Sequence, residues 1–175
     1  MPDISREKID VVNSRDEVIG KSTLREAHEK GILHRAVHIW VFDSASGLFI
    51  QQRSKDKLLR PLHRDSPVGE HVKAGETYTE AAIRGLKEEL GVSKTKIESL
   101  VKKKIVDRVK GRYYNREFIK LFKCTYNGKI NFDRRESMAG GFYLLSEIEK
   151  AAKSESMLFV PIFVDFFNWY MRKGK

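Results

Sequence analysis

The stretch from Gly69 to Val92, which reads GEHVKAGETYTEAAIRGLKEELGV, constrains the fold more than any other part of this 175-residue chain. Within it, residues 77–80 (TYTE) form a capping box, in which a hydroxyl residue is followed three positions later by a glutamate and a helix begins. Gly91 stands where a helix needs a left-handed residue in order to end. The stretch therefore predicts a loop and then a helix whose two ends are both fixed by local chemistry.

The predicted helix carries carboxylates around a central glycine. Glu88 and Glu89 lie to either side of the wheel position held by Gly85, and a glycine inside a helix costs about 1 kcal/mol relative to alanine. Together with Glu76 in the preceding loop, they supply oxygen ligands of the kind that Mg²⁺ and Mn²⁺ prefer. The alternatives are a solvated acidic surface and close backbone packing at Gly85. A helical wheel assigns one face to the core through three apolar residues: Ile83, Leu86 and Leu90.

The charge balance favours an anionic ligand. The chain has 34 Lys and Arg against 24 Asp and Glu, a net charge of +10, which suits phosphates, nucleotides or nucleic acid, or else a solubilising surface. We interpret the basic run at 102–104 as a solvated strand edge, with a nucleic-acid patch as the second interpretation. The single Cys124, the charged N-terminus and the lack of an apolar run of about 20 residues favour a cytoplasmic protein without a membrane segment.

The order of the predicted elements favours an α+β protein with a mixed sheet. Because the sequence contains no repeat, low-complexity tract or linker, we expect a single domain covering residues 1–175. The predicted elements are an N-terminal hairpin at 9–20, a polar helix at 22–30, strands at 36–42, 48–53, 99–109, 113–126 and 141–145, and helices at 147–153 and about 158–172. The aromatic C-terminal segment would pack against the sheet, and a homodimer interface is its second interpretation.

The stretch at 69–92 resembles the Nudix box, G-x5-E-x7-R-E-U-x-E-E-x-G-U, in which U is a bulky apolar residue. The matching residues are Glu76, Arg84, Leu86, Glu88, Glu89, Gly91 and Val92. Two positions depart from the pattern: Glu70 replaces its first glycine, and Gly85 replaces the glutamate that follows the arginine. The resemblance implies the Nudix fold, an α/β/α sandwich around a mixed β-sheet, and hydrolysis of a diphosphate bond in a nucleoside diphosphate derivative.

The resemblance also implies roles for the box residues. Glu88 and Glu89 would be the core metal ligands and take part in catalysis, with Glu76 assisting. Arg84 would hold the carboxylates in place through charge-assisted hydrogen bonds. The implied cofactor is Mg²⁺ or Mn²⁺, with no organic cofactor, and the implied partner is a small-molecule diphosphate substrate; a nucleic acid is the less favoured partner.

Because Gly85 cannot act as a base or a ligand, a side chain from outside the helix would have to take over that role. Because some family members place a late catalytic glutamate before the last strand, the resemblance implies Glu136 as this base or further ligand; a solvent-exposed loop acid is the alternative. Family members commonly carry an arginine after this strand, so the resemblance also implies that Arg53, at the end of the second strand of its pair, clamps the substrate diphosphate with its planar guanidinium. A surface arginine at a strand end is the alternative there.

The segments VVNSRDEVIG and LHRAVHIWVF resemble the isopentenyl-diphosphate isomerase-like branch of the family, which contains both isomerases and hydrolases. The isomerases hold a divalent metal with histidines and glutamates. The similar positions here are His28, which is about one residue out of register, His34, Glu117 and, for the third histidine, either His71 or Glu70, which is closer in register. Structural histidines and a cross-strand ion pair at Glu117 are the alternatives. Val68 stands where the isomerases carry their catalytic cysteine, and Cys124 belongs to another strand. Two rival functions remain: an isomerase-like protein, and a noncatalytic nucleotide- or RNA-binding module with a degenerate box.

Overall fold

A computed structural model describes residues 6–57, 60–108, 113–132 and 137–173, and they form a central sheet with flanking helices. In chain order the elements are β1 (Lys8–Val12), β2 (Val18–Thr23), α1 (Leu24–Lys30), β3 (His34–Phe42), β4 (Gly47–Arg53), β5 (Arg64–Asp65), β6 (Val68–His71), α2 (Tyr78–Leu90), β7 (Glu98–Arg108), β8 (Tyr114–Thr125), β9 (Ser137–Leu144), α3 (Leu145–Ser154), a 3₁₀ turn (Ser156–Leu158) and α4 (Pro161–Lys173).

The strands form two sheets. β1 and β2 pair as a separate antiparallel ribbon, in the region of the predicted hairpin at 9–20. The larger sheet has the order β5-β4-β3-β8-β7, with β6 paired to β3 and β9 paired to β4. The predicted α+β class is confirmed. No helix within the described residues is long and apolar enough to cross a bilayer, and the cytoplasmic location stays a prediction.

The chain divides into two compact units, each assembled from separate segments. The first contains the described residues of Met1–His38, Gly69–Gly85 and Ser99–Phe122, and the second those of Ile39–Val68, Leu86–Glu98 and Lys123–Lys175. In the first unit, two small apolar clusters hold the N-terminal ribbon and the sheet: Ile9, Leu24 and Ala27 in one, and Val12, Leu33 and Phe118 in the other. The single domain proposed from the sequence stays a prediction.

The second unit is built around aromatic side chains. Trp40 on β3 is fully buried, and its ring centroid lies 5.7 Å from that of Phe163 and 5.4 Å from that of Tyr170, both on α4. The indole Nε1–H donates a hydrogen bond to Ser66 Oγ at 3.1 Å, so the polar atom of this buried ring is satisfied. The aromatic C-terminal segment thus packs onto the strand, and a homodimer stays a prediction.

Helix α2 begins and ends as its sequence indicates. The backbone N–H of Thr77 donates to Glu80 Oε2 at 2.8 Å, and the backbone N–H of Glu80 donates to Thr77 Oγ1 at 3.2 Å. At the other end Gly91 has φ +67°, in the left-handed region, and its N–H donates to Lys87 O at 3.1 Å. The two caps satisfy backbone groups that a helix leaves unpaired at its ends.

The buried face of α2 differs from the predicted one at a single position. Leu86 and Leu90 are buried as expected, but Ile83 is 53% exposed. The buried stripe instead follows Ala82, Leu86 and Leu90 at intervals of four residues, with Gly85 buried beside it. The wheel favoured Ile83 because isoleucine is more hydrophobic than alanine, but the buried positions beside Leu86 and Leu90 are held by the smaller Ala82 and Gly85.

The capping box gives a direct test of the fold. Replacing Thr77 with alanine removes the side-chain acceptor for the Glu80 N–H, and we expect the free energy of unfolding to fall by about 1 kcal/mol. Thr79→Ala, at an exposed position two residues on, is the matched control and should change it by less than half as much. Urea denaturation followed by circular dichroism measures both. Equal effects would mean that the cap contributes nothing beyond helix propensity.

Candidate metal centre

Four potential metal ligands of the first unit converge on one point. They come from α1, β3, β6 and β8, and they are His28, His34, His71 and Glu117; we call them the His/Glu cluster. Each contributes one ligand atom, and these atoms all lie within 4.8 Å of one another. His71 Nε2 lies 3.3 Å from both His28 Nε2 and Glu117 Oε1. The fold therefore brings together side chains that are up to 89 positions apart in the sequence.

Backbone carbonyls fix the orientation of two of the imidazole rings. His28 Nδ1 lies 3.0 Å from Tyr114 O, and His34 Nδ1 lies 2.8 Å from Ile32 O. Because a carbonyl oxygen can only accept, the proton of each neutral ring is assigned to Nδ1. Each Nε2 then directs a lone pair into the cluster, which is the arrangement that metal-binding histidines adopt.

His34 Nε2 is a buried acceptor that has no donor in the cluster. This atom is fully buried and makes no hydrogen bond within the described residues. Glu117 Oε1 is 3.3 Å away, but an Nε2 lone pair and a carboxylate oxygen are both acceptors. Leaving such a buried group unsatisfied costs on the order of 1–3 kcal/mol. A cation bound at this point would satisfy both atoms, so the residues fit a metal ion.

The electrostatics of the cluster also suit a cation. Burial raises the pKa of Glu117, but the contact with His71 acts in the opposite direction and the pKa is lowered well below 4.5, so the carboxylate is charged. Burial lowers the pKa of His28 below 6.5, which keeps that ring neutral. For His71 burial also acts to lower the pKa, but the contact with Glu117 outweighs it and the pKa is raised.

The donor set discriminates between metals. Imidazole nitrogen suits Zn²⁺, Fe²⁺ and other first-row transition metals, whereas Mg²⁺ prefers an all-oxygen shell. Three histidines and one carboxylate therefore favour a transition metal such as Zn²⁺, Fe²⁺ or Mn²⁺. Of the two ions expected from the sequence, Mn²⁺ suits this cluster and Mg²⁺ suits the carboxylates of the box.

Arg84 on α2 holds the end of β6, which carries one of the cluster histidines, and the loop that follows it. Its Nε donates to Glu76 Oε1 at 2.9 Å and its Nη1 donates to Glu70 Oε2 at 2.8 Å. Its Nη2 donates to the carbonyl oxygen of His71 at 2.8 Å. Burial raises the pKa of Glu76, but the hydrogen bonds from Arg84 and from the Lys73 N–H outweigh it and lower that pKa. Arg84 thus clamps the β6–α2 loop through two carboxylates and one carbonyl.

The remaining predicted site residues lie in the second unit or outside the described part of the chain. On the last turn of α2, Glu88 is exposed and Glu89 is half-buried. Arg53, at the end of β4, donates from Nη1 to Asp65 Oδ2 at 3.1 Å, and Asp65 is itself buried. Glu136 is outside the described residues. The roles predicted for these four residues therefore stay predictions.

The isomerase alternative lacks its acid–base thiol. Val68, at the position of the isomerase cysteine, is fully buried. Cys124 belongs to the second unit, where burial raises its pKa to about 11, so it remains a protonated and unreactive thiol. The sequence identified the cluster residues only through resemblance, and it gave no signal for the carbonyls that orient them or for Glu70 as a partner of Arg84.

The chain is similar to known proteins in both sequence and fold. The sequence profile of the NUDIX domain matches residues 32–159. An uncharacterised Nudix hydrolase of Streptomyces coelicolor is 31% identical over 155 residues, which cover 89% of this chain and 83% of that protein. An isopentenyl-diphosphate Δ-isomerase of Serratia proteamaculans is 32% identical over 124 residues, covering 70% and 68%. A crystal structure from Deinococcus radiodurans superimposes with a TM-score of 0.70 at 25% identity, covering 85% and 90%.

The His/Glu cluster predicts a measurable affinity for a transition metal. His34→Asn keeps a donor for Ile32 O but removes Nε2, so we expect it to weaken Zn²⁺ and Mn²⁺ binding at least about tenfold. His63→Asn is the matched control, because the ring of His63 also contacts a nearby carbonyl but lies outside the cluster. Isothermal titration calorimetry of the metal-free protein measures both affinities. Identical affinities in the two variants would show that the metal binds elsewhere.

Proposed function

Since this chain belongs to the Nudix family, we propose that it hydrolyses the diphosphate bond of a nucleoside diphosphate derivative with the help of divalent metal ions. The unsatisfied Nε2 of His34 at the centre of the His/Glu cluster is the observation that supports metal dependence most strongly. The paired carboxylates of the box support hydrolysis, since they match the family pattern at Glu88 and Glu89. The fold is that of the family, and the substrate class and the metal are our proposal.

The protein's own residues would divide the work as follows. A bound divalent metal polarises phosphoryl oxygens and lowers the pKa of water. Glu88 and Glu89, with Glu76 from the loop, are the proposed ligands of Mg²⁺ or Mn²⁺ in the box. Arg84 contributes by fixing that loop, because its guanidinium engages both oxygens of Glu76. Its role is to position carboxylates rather than to touch the substrate.

Two further residues would act on the substrate. Arg53 is the proposed clamp for the diphosphate, and its ion pair with the buried Asp65 supports this role by holding the guanidinium in a fixed orientation. Glu136 is the proposed base or additional ligand that replaces the box glutamate at Gly85. This assignment depends on the sequence alone.

Isomerisation of an isoprenoid diphosphate is the second candidate, and the His/Glu cluster favours it. The four residues are those that the resemblance to the isomerases implies, and one such isomerase is 32% identical to this chain. The buried Val68 counts against it, since an apolar side chain cannot exchange a proton. A noncatalytic nucleotide- or RNA-binding module is the third interpretation, and it is distinguished by binding without turnover.

The proposal predicts turnover that depends on the box carboxylates. A panel of nucleoside di- and triphosphates, nucleotide sugars, dinucleotide cofactors and isoprenoid diphosphates would be assayed with Mg²⁺, Mn²⁺ and Zn²⁺ for release of phosphate or nucleotide. We expect Glu88→Gln to lower kcat at least about a hundredfold because the metal loses a ligand. Glu98→Gln, an exposed acid outside the box, should leave kcat unchanged.

The outcomes of this assay separate the three candidates. Release of phosphate or nucleotide that disappears in Glu88→Gln supports the hydrolase. Conversion of an isoprenoid diphosphate to its double-bond isomer, without release, would favour the isomerase. Nucleotide binding without any reaction would favour the noncatalytic module.

Gly85 supplies a second test of the same site. Restoring the family carboxylate with Gly85→Glu should raise kcat/KM at least about tenfold, because one ligand or base is added to the metal site. Gly85→Gln fills the same buried volume without the charge and is the matched control. Equal losses in both variants would mean that the position is needed for close packing and that no carboxylate is missing from the site.

A further inference from the structure

A second cluster of charged side chains lies in the first unit, and it shares no residue with the His/Glu cluster. Four cations sit over two aromatic rings, those of Tyr78 and Phe118. The cations are Arg35, Lys102, Lys104 and Lys120, and we call them the basic face. Lys102 Nζ lies 5.8 Å from the centroid of Tyr78 and 5.4 Å from that of Phe118. All four cations lie within 6 Å of one ring or the other.

Strand alternation explains why these cations share a face. Lys102 and Lys104 are two residues apart on β7, so their side chains point the same way. On β8 the same spacing relates Phe118 to Lys120. Lys103, between the first two, points to the other side. The basic run that the sequence showed at 102–104 is therefore split, and only its outer members join the basic face.

The same alternation separates the basic face from the metal centre. On β3, Arg35 directly follows His34, and on β8, Phe118 directly follows Glu117. Successive side chains of a strand point to opposite sides of the sheet. The basic face and the His/Glu cluster therefore occupy opposite sides, and a ligand on one does not compete directly for the other.

Charge compensation at the basic face is incomplete. Asp16 contacts two of the four cations, with Oδ1 2.6 Å from Arg35 Nε and Oδ2 2.5 Å from Lys102 Nζ. Although burial raises the pKa of Asp16, hydrogen bonds from Lys102 and Arg35 outweigh burial and lower it, so one negative charge faces four positive ones. Burial and Asp16 raise the pKa of Tyr78, so its phenol stays neutral. Among the described residues Asp16 is the carboxylate in direct contact with these cations, and Asp10 adds a longer-range negative charge near Arg35.

The form of this charge favours an extended polyanion. Lys102 and Lys104 are exposed, and their positions on β7 are separated by about 7 Å along the strand. A row of this kind presents repeated contacts, whereas a mononucleotide would use only one or two of them. The rings beneath are covered by cations, so they hold the ammonium groups in place rather than stacking bases. Recognition would therefore be through phosphates and independent of sequence.

We propose that the basic face binds the phosphate backbone of a single-stranded nucleic acid. Lys102, Lys104 and Lys120 contact successive phosphates and release counterions from the strand, which makes the affinity depend steeply on salt. Arg35, whose side chain is 17% exposed, is held by Asp16. This binding function is independent of the proposed hydrolysis, since it uses neither the box carboxylates nor the His/Glu cluster. It also assigns a role to the chain's net charge of +10.

The test measures binding of a fluorescein-labelled 20-nucleotide single-stranded RNA by anisotropy over a range of salt concentrations. A triple variant, Lys102→Ala, Lys104→Ala and Lys120→Ala, removes three charges of the basic face. We expect the affinity at low salt to fall at least about tenfold. The slope of log K against log [salt] is negative, and it should become less steep by about 2. Each phosphate that a lysine neutralises contributes about 0.7 to its magnitude, and three lysines are removed.

A second triple variant controls for net charge. Lys87→Ala, Lys129→Ala and Lys150→Ala remove the same three charges from exposed positions outside the basic face. This control should keep the affinity within about twofold of the unsubstituted protein. Equal losses of affinity in the two triple variants, or no binding of RNA by the unsubstituted protein at low salt, would overturn the proposal. Metal affinity and the unfolding curve of each variant show that it is folded.

Two other anionic partners are outcomes of the same experiment. Inorganic polyphosphate and vesicles containing phosphatidylserine are titrated alongside the RNA. Tighter binding to either one, abolished in the basic-face variant and kept in the control, would replace the nucleic acid with that partner and overturn the assignment. Because this experiment measures binding alone, a lack of RNA binding would not bear on the hydrolase proposal. Likewise, a lack of turnover in the hydrolysis assay would not bear on the proposal of nucleic-acid binding.

Discussion

The clamp that Arg84 makes on the β6–α2 loop is the interaction on which the site depends. One guanidinium on the helix engages Glu76, Glu70 and the carbonyl oxygen of His71 at 2.8–2.9 Å. The hydrogen bonds to charged partners are the stronger class, contributing about 1.5–3 kcal/mol each. Because His71 belongs to the His/Glu cluster, the clamp also sets where one of its ligands lies. The side chain of Arg84 therefore fixes the position of helix α2 relative to the His/Glu cluster.

The two departures from the box pattern have different consequences in this structure. Glu70, in place of the first glycine, adds a second carboxylate to the partners of Arg84 and so reinforces the clamp. Gly85, in place of the glutamate, is buried on the helix and gives the proposed metal site one carboxylate fewer than the family pattern. The first substitution strengthens the positioning of the loop. Because of the second substitution, a catalytic base would have to come from outside the helix, and Glu136 is our proposal for it.

Local chemistry made helix α2 predictable, whereas its packing was less so. The cap at Thr77 and the stop at Gly91 depend on residues within one turn, and the sequence predicted both correctly. The buried face depends on what the helix packs against, and here Ala82 lies inside while Ile83 lies outside. Hydrophobicity alone could not rank an alanine above an isoleucine. The error therefore reflects tertiary packing rather than the period of the helix.

The site itself was predictable only in part, because its contacts are long-range. Resemblance supplied the positions of the His/Glu cluster, but nothing in the spacing of residues 28, 34, 71 and 117 shows that they converge. The partners that orient His28 and His34 are backbone carbonyls, which have no sequence signature. The basic face shows the same limit. The lysine run at 102–104 was visible, whereas the contributions of Arg35 and Lys120 depend on strands that pair in the fold.

The candidate metal centre and the basic face are linked because alternate residues of the same two strands supply them. Each of β3 and β8 supplies one residue to the metal side and its neighbour to the opposite side: His34 beside Arg35, and Glu117 beside Phe118. A one-residue slip of either strand would exchange the two sides and destroy both sites at once. The proposed cation site and the proposed phosphate-binding face can therefore share β3 and β8 only while the register of these strands is kept.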